Sequence, residues 1–332
     1  MHELPTRRSV VLGALAALCA PACFAQRQAR VGWLSLTSRG MYAEVTSRGY
    51  LKGMGEAGYV EGRNLLLERR SADGDVFKLR ALARELVQAS VDVIFAPAKI
   101  LADAAWYASR TIPTVIATVT DPVVVEYAVS LAHPGKHITG VTTANAELIG
   151  KRLQLLTEMV PGLRRVAIPI DPDLLASCSE ELDLMEKAGR QLGIVLLRVP
   201  IKSSDVDKSA TIKNAVQHAV SAKAQAMVTA PMTSNYDVTD RLAMEARDQK
   251  LPFMHDVPQL ARHGLAVYGP NFEDIFRRAG HYTARILKGE RPADMPIEEP
   301  RSFQLIVNLG TARAIGITLP QSILLRADEV IQ

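Results

Sequence analysis

Catalytic and cofactor signatures are largely missing from this sequence. No G-x-G-x-x-G follows a predicted strand, so the dinucleotide fingerprint is excluded. No phosphate loop and no G-x-S-x-G nucleophile elbow occurs. The histidines (His2, His133, His137, His218, His255, His263, His281) show no metal-ligand spacing. His133 and His137 are four apart, but Pro134-Gly135 between them rules out a shared helix face. No cofactor, metal or catalytic residue is therefore expected. Basic runs never exceed two residues, and the net charge is only +4, which argues against a nucleic-acid partner. Cysteine is scarce too. Cys19 and Cys23 lie in the N-terminal segment, leaving Cys178 alone, so no intrachain disulfide is expected beyond it. Cys178 reads as a small buried side chain or a reactive thiol.

Long apolar runs are also lacking. The N-terminus carries Arg7-Arg8, the apolar stretch Val10–Leu18 and a small-residue site best cut after Ala25. That order is an export signal. The paired arginines fit either the twin-arginine route or an ordinary secretory signal, and Cys23 is a weaker candidate for a lipid anchor. The stretch is too short to span a bilayer of about 30 Å. No later window matches it, so a soluble, exported (periplasmic) mature chain is expected.

What is present is alternation of strands and helices. Arg30–Leu36 reads as a buried strand, and a helix runs from about Tyr42 to Ala57. Its Gly49, Gly53 and Ala57 recur every four residues and make a smooth face for packing on a sheet. Strands Asn64–Arg69, Val91–Ala96 and Thr114–Val119 alternate with helices at Lys78–Gln88 and Leu101–Ser109. After the Pro134-Gly135 turn and the strand Ile138–Thr143, a second series begins. Helices at Glu147–Val160, Ser179–Leu192, Ser209–Ala222 and Tyr236–Lys250 alternate with strands at Arg165–Ile170, Ile194–Pro200, Ala226–Ala230 and Pro252–His255. Such spacing predicts an α/β fold with parallel sheets covered on both faces. The last sixty residues (helix Asp274–Lys288, strand Phe303–Asn308, tail Pro320–Ile331) are expected to cross back and complete both sheets.

In open parallel sheets, ligands bind outside the carboxyl ends of the strands. That rule selects Ser35, Thr37 and Ser38 after the first strand, and Pro97, Ala98 and Lys99 after the third. It selects Thr120 and Asp121 after the fourth and Thr143 after the fifth. The second series adds Asp171, Asp173, Met232 and Asp256. Asp121 is either a ligand carboxylate or a turn residue bonding its own backbone before Pro122, and Asp171-Pro172 has the same two readings. Lys99 is either an anion ligand or a solvated helix-start lysine. Trp33, Trp106, Tyr107 and Tyr268 are candidate stacking walls; the two tryptophans also fit simple packing, and Tyr268 is the best placed of the four. Glu180-Glu181 reads as a solvated first turn rather than a catalytic pair.

Several stretches carry a resemblance: Gly53 to Asn64 (GMGEAGYVEGRN), Thr120-Asp121-Pro122, Ser130-Leu131-Ala132 with Pro134-Gly135 and Ile138-Thr139-Gly140, Gly150-Lys151-Arg152-Leu153, Tyr268-Gly269-Pro270-Asn271, Ile286-Leu287-Lys288-Gly289 and Ala327–Ile331. In order and spacing they resemble the ABC transporter substrate-binding proteins, the type that includes tryptophan- and tyrosine-uptake binding proteins. The resemblance implies a type I periplasmic-binding fold: two Rossmann-like lobes with parallel sheets, joined by a three-crossing hinge. It implies a signal peptide over 1–25, one lobe from 26–145 plus 272–300, and a second from 146–271 plus 301–332. It further implies a small-molecule solute, with amino acids and aromatic compounds as candidates, ABC permease subunits as partners, and Thr120 and Asp121 at the ligand. The loop Asp171-Pro172-Asp173-Leu174-Leu175 departs from those binders, which carry a polar Asn/Ser loop there. A periplasmic sensor feeding a membrane receptor, or a secreted enzyme on the same scaffold, are the alternative readings.

Overall fold

The computed structural model describes residues 28–120, 127–143, 145–177, 179–202, 208–229 and 236–332. The export-signal segment, Asp121, Cys178, Met232 and the 203–207 loop lie outside them.

The first sheet collects β1 (Ala29–Ser35), β2 (Leu65–Ser71), β3 (Val93–Phe95), β4 (Thr114–Val119) and β5 (Ile138–Thr142) in the order β2-β1-β3-β4-β5. All four neighbouring pairs are parallel, as apolar strands separated by helices require. The intervening helices are α1 (Met41–Glu56), α2 (Leu79–Gln88) and α3 (Lys99–Ala108).

Past β5 the chain leaves this sheet. Helix α4 (Asn145–Met159) starts a second one from β6 (Arg165–Ile170), β7 (Val195–Pro200), β8 (Ala226–Val228), β9 (Phe253–His255) and β10 (Ala266–Pro270), with helices α5 (Ser179–Gln191), α6 (Lys208–Ser221) and α7 (Tyr236–Asp248). After Pro270 the chain returns, and α8 (Phe272–Leu287) packs on the first unit. It then crosses a third time, and β11 (Phe303–Asn308) and β12 (Glu329–Ile331), with α9 (Leu309–Ile315) and α10 (Gln321–Leu324) between them, finish the second unit. The second sheet has the order β12-β11-β10-β9-β8-β6-β7. One pair in it, β10 with β11, is antiparallel. The final strands therefore do not complete both sheets. They extend only the second, while the first gains a helix and one isolated bridge between Val141 and Glu298.

The core of the first unit is aromatic. Trp33 is 8% exposed, with its ring centroid 4.8 Å from Tyr50 and 5.0 Å from Phe95; Tyr50 stacks on Phe95 at 4.3 Å. Trp33 is thus packing and not a wall of the cleft. Phe276 of α8 joins at 5.7 Å from Phe95. The Tyr50 hydroxyl donates to Thr283 Oγ1 of α8 at 2.9 Å, so this buried hydroxyl is satisfied. Val257 and Leu260, which follow β9 of the second sheet, pack in the same cluster and tie the units together.

The glycine stripe of α1 faces a helix and not a sheet. A Cβ added at Gly53 would stand 1.9 Å from the Arg277 carbonyl oxygen, and one at Gly49 would stand 2.4 Å from that of Glu273. Gly280 of α8 returns the contact against Tyr50 O at 2.4 Å. The two backbones touch, and ion pairs flank the seam: Arg48 with Glu273 at 2.7 Å, and Glu56 with both Arg277 (3.1 Å) and His281 (2.7 Å). Such exposed pairs add little individually, and the close backbone approach sets the geometry.

Because the atom facing Gly53 is backbone, a methyl group there must push the helices apart. Gly53→Ala is expected to destabilise the protein by about 1–3 kcal/mol in urea unfolding. Gly55, two residues on, has nothing within 4 Å of its added Cβ. Gly55→Ala is expected to stabilise by up to about 1 kcal/mol through helix propensity alone.

Candidate functional site

The carboxyl edges of both sheets carry most of the residues named above. On the first sheet, Ser35 closes β1 and its hydroxyl donates to Arg70 O at 3.4 Å. Thr37 makes a local turn with Arg39, and Ser38 Oγ reaches Asp73 Oδ1 at 3.4 Å. Thr37 is held within its own loop, and Ser35 and Ser38 by β2 and the loop that follows it. Pro97 is buried, and its carbonyl accepts from Thr118 N (2.7 Å), Thr118 Oγ1 (3.1 Å) and Ala117 N (3.1 Å). That contact fastens the ends of β3 and β4 to each other and fixes the edge. Ala98 is the N-cap residue of α3. Lys99 is not a solvated lysine: its ammonium pairs with Asp103 Oδ2 at 3.1 Å, and Asp103 also accepts from the Tyr127 hydroxyl. Thr120 and Thr143 are 3% and 1% exposed. The hydroxyls of Thr142 and Thr143 find no hydrogen-bond partner among the described residues, which is unusual for buried polar atoms.

On the second sheet, Asp171 is buried and its Oδ1 accepts from Asp173 N at 3.0 Å, which is the turn reading of Asp171-Pro172. Tyr268, in β10, is partly buried, its ring 6.4 Å from Phe303. Burial raises its hydroxyl pKa. Trp106 lies elsewhere, at the amino-edge end of α3, stacked on His137. Tyr107 beside it is exposed. Neither lies at the carboxyl edge. Glu181 is 5% exposed, so the solvated-turn expectation fails for it. It sits one turn before Met185 on the inward face of α5.

Asp256 anchors a buried polar floor at the end of β9. Its Oδ1 accepts from Thr229 Oγ1 at 3.1 Å, and its Oδ2 lies 3.7 Å from Arg152 Nη1 of α4. Both side chains of that ion pair are at most 3% exposed. Burial pushes the Asp256 carboxyl up, with Arg152 and Thr229 pulling against it. His255 is fully buried beside them, and burial first, then the Arg152 charge, push its pKa down to about 3. Gly269 lies against this turn: a Cβ there would be 1.8 Å from Asp256 O.

Arg152, Thr229 and His255 were not selected from the strand-end rule. Arg152 did leave a trace in the sequence. It falls on the apolar stripe of α4, one turn after Leu148 and one turn before Leu155 and Leu156. A charge in that position is either paired or destabilising.

A well-formed cavity of about 540 Å³ lies at the other edge. It is lined by residues including Ala29, Tyr59, Asn64, Asp92, Pro113 and Ile286, at the amino ends of β1, β3 and β4. It contains none of the strand-end candidates, and the strand-end rule favours the carboxyl edge over it. Among the described residues there is no group of three or more His, Cys, Asp or Glu that would hold a metal ion. No helix among them is long and apolar enough to cross a membrane.

Two α/β units built on parallel sheets, three crossings between them and a polar floor at the strand ends define a type I periplasmic-binding architecture. The family described as "ABC transporter substrate binding protein" matches residues 36–331, and the chain belongs to it as a solute-binding protein. A tyrosine-binding protein of Clostridioides difficile is 24% identical over 266 residues, 77% of this chain and 72% of that protein. The crystal structure of an ABC domain in complex with L-Trp from Streptococcus pneumoniae has a TM-score of 0.78 at 20% identity, covering 92% of this chain and 100% of that one. A ligand-free, open substrate binding protein with adhesive properties from Clostridium difficile has a TM-score of 0.60 at 21% identity, covering 92% and 99%.

Removing one partner of the buried ion pair strands the other charge. Arg152→Ala is expected to cost about 3–5 kcal/mol in denaturant unfolding. His255 generates a pH dependence of definite sign. Its folded pKa is depressed, so below about pH 6.5 the unfolded chain takes up a proton that the folded chain refuses until about pH 3. Its contribution to stability is therefore lost as pH falls through that window, by about 1.4 kcal/mol per pH unit. His255→Gln should lack this slope, so the wild-type-minus-variant stability difference is expected to fall by about 1.4 kcal/mol per pH unit below about pH 6.5, measured by urea unfolding between pH 7 and pH 4.

Proposed function

We propose that this chain is exported by its N-terminal signal, captures a small solute between two lobes and delivers it to the permease of an ABC importer. The lobes comprise residues 26–145 with 272–300, and 146–271 with 301–332. What supports the reading is that each sheet ends in buried polar residues at its carboxyl edge: Thr120 and Thr143 on one, and Asp171 and Asp256 on the other, with Tyr268 in the strand that precedes a crossing.

The floor narrows the solute. Arg152 and Asp256 cancel each other, and His255 is held neutral, so this surface offers hydrogen bonds without net charge. A net-neutral molecule suits it best, an amino acid or a neutral aromatic compound. The Thr143 hydroxyl, buried with no partner among the described residues, is a group that such a solute would satisfy. Asp121, at the Thr120-Asp121-Pro122 turn, would supply a carboxylate for an ammonium.

A thermal-shift screen against amino acids, aromatic acids, purines and small carboxylates tests the reading. A true solute at 100 times its Kd should add about 2.7 kcal/mol of stability. No shift with any solute would count against it. With the solute identified, Asp121→Ala is expected to weaken binding by about 1.5–3 kcal/mol in calorimetric titration. Unchanged affinity would leave Asp121 as a turn residue.

A further inference from the structure

The two faces of the first sheet differ in what lies outside them. On the α1 and α8 side, nearly every arginine at the surface has a carboxylate: Arg48 with Glu273, Arg277 with Glu56 and Asp274, Arg285 with Glu290. On the α2 and α3 side, Arg80, Arg84 and Arg110 have no carboxylate within ion-pair distance among the described residues, and all three are exposed. Arg80 and Arg84 are one helical turn apart on α2 and share a face.

Aromatic rings take the place of carboxylates there. The Arg110 guanidinium stands 3.8 Å from the Trp106 ring centroid and 6.0 Å from that of Tyr107. Arg80 stands 5.1 Å over Tyr107. His137 stacks on Trp106 at 4.7 Å with 12° between the planes, which fixes the indole. Tyr107 remains 64% exposed. A ring holds a cation in place without neutralising it. The result is a broad surface, drawn from α2, the end of α3 and the loops before β4 and β5, that presents oriented positive charge together with amphipathic rings.

We propose that this surface docks on an anionic lipid bilayer. Guanidinium groups match phosphate oxygens in a planar, two-point fashion. Tryptophan and tyrosine favour the headgroup level of a membrane, where one end of the ring is apolar and the other wet. An acidic polypeptide could also meet the charges and the rings, so it is the outcome that the poly-glutamate arm of the test separates from a bilayer. The surface is built on α2 and on the amino-edge loops before β4 and β5, and it includes none of the carboxyl-edge candidates.

Co-sedimentation with vesicles decides the matter. The purified chain is expected to bind vesicles of mixed phosphatidylglycerol and phosphatidylcholine, to ignore phosphatidylcholine alone, and to be released by salt. Arg80→Glu with Arg110→Glu should lower the affinity about tenfold or more. Tyr107→Ser should lower it several-fold with no change in charge. A charge-matched control, Lys213→Glu with Lys223→Glu on the second unit, should bind as wild type does. Every protein carries the same N-terminal segment, so any lipid affinity of that segment cancels in the comparison. Unfolding midpoints check that each variant is folded. No binding to anionic vesicles, an equal loss in the control, or binding to poly-glutamate in place of vesicles would each overturn the proposal. The solute-induced thermal shift is expected to survive in all variants, so a failure here is separable from a failure of the transport reading.

Discussion

The backbone contact between α1 and α8 is the constraint from which the rest of the architecture follows. Gly53 and Gly280 bring two helices separated by more than 200 residues so close that neither seam position admits a methyl group. To place α8 there, the chain must leave the second sheet after Pro270, and to finish that sheet it must cross again before Phe303. Those two crossings, with the one after β5, are what make a hinge of three strands instead of a single flexible linker. Asn271 starts the return: its side chain accepts from Asp274 N at 3.1 Å and from Gln259 Nε2 at 2.9 Å, so the helix cap is also bonded to the loop that packs Val257 and Leu260 into the first core.

The polar floor of the second unit is a separate problem with its own solution. A buried guanidinium costs several kcal/mol of solvation, and a single carboxylate at 3.7 Å recovers this only with further hydrogen bonds. Thr229 supplies one of them to Asp256. A well-packed apolar group would serve stability equally well, so a function that needs polar atoms at this depth is the better reason for keeping the pair. Its cost shows in neighbouring His255, whose protonation the Arg152 charge and burial both oppose.

Much of the fold was legible in the sequence because it rests on local rules. Strand and helix alternation, the restart after Pro134-Gly135 and the inward stripe of α2 follow from periodicity. The glycine stripe of α1 was also visible, but its partner was not: a four-residue repeat of small side chains says that something approaches closely, and nothing local says whether it is a sheet or a helix far along the chain. The antiparallel β10–β11 pair was hidden for a similar reason, since strand direction depends on the route of the intervening crossing and not on the strand residues. At the carboxyl edges, the strand-end rule selected Asp256, Asp171, Thr120 and Thr143, and the structure has them buried at or beside strand ends. The rule missed Arg152 because that residue reaches the edge from a helix, although a charge on an apolar stripe was the available signal. The solvated reading of Glu181, and the solvated alternative for Lys99, fail because pairing and burial within a helix are decided by what packs against it.

Charge is distributed in opposite ways at the two places where this molecule would meet partners. In the floor, opposite charges are buried together and cancel, so selectivity there comes from hydrogen-bond geometry, which discriminates strongly against a molecule lacking the matching group. On the α2–α3 face, like charges are exposed and rest on rings, so attraction there is long-ranged, sensitive to salt and indifferent to detail. A solute must be recognised closely and released, which suits a neutral polar enclosure that closes and opens. A bilayer needs only to be found and held loosely, which suits an open cationic face. The two demands conflict if they share a surface, because exposed cations beside the cleft would bind anions of every kind. Resting the arginines of α2 and of the loop after α3 on rings, and building the floor from a different set of residues, keeps the two demands on separate side chains.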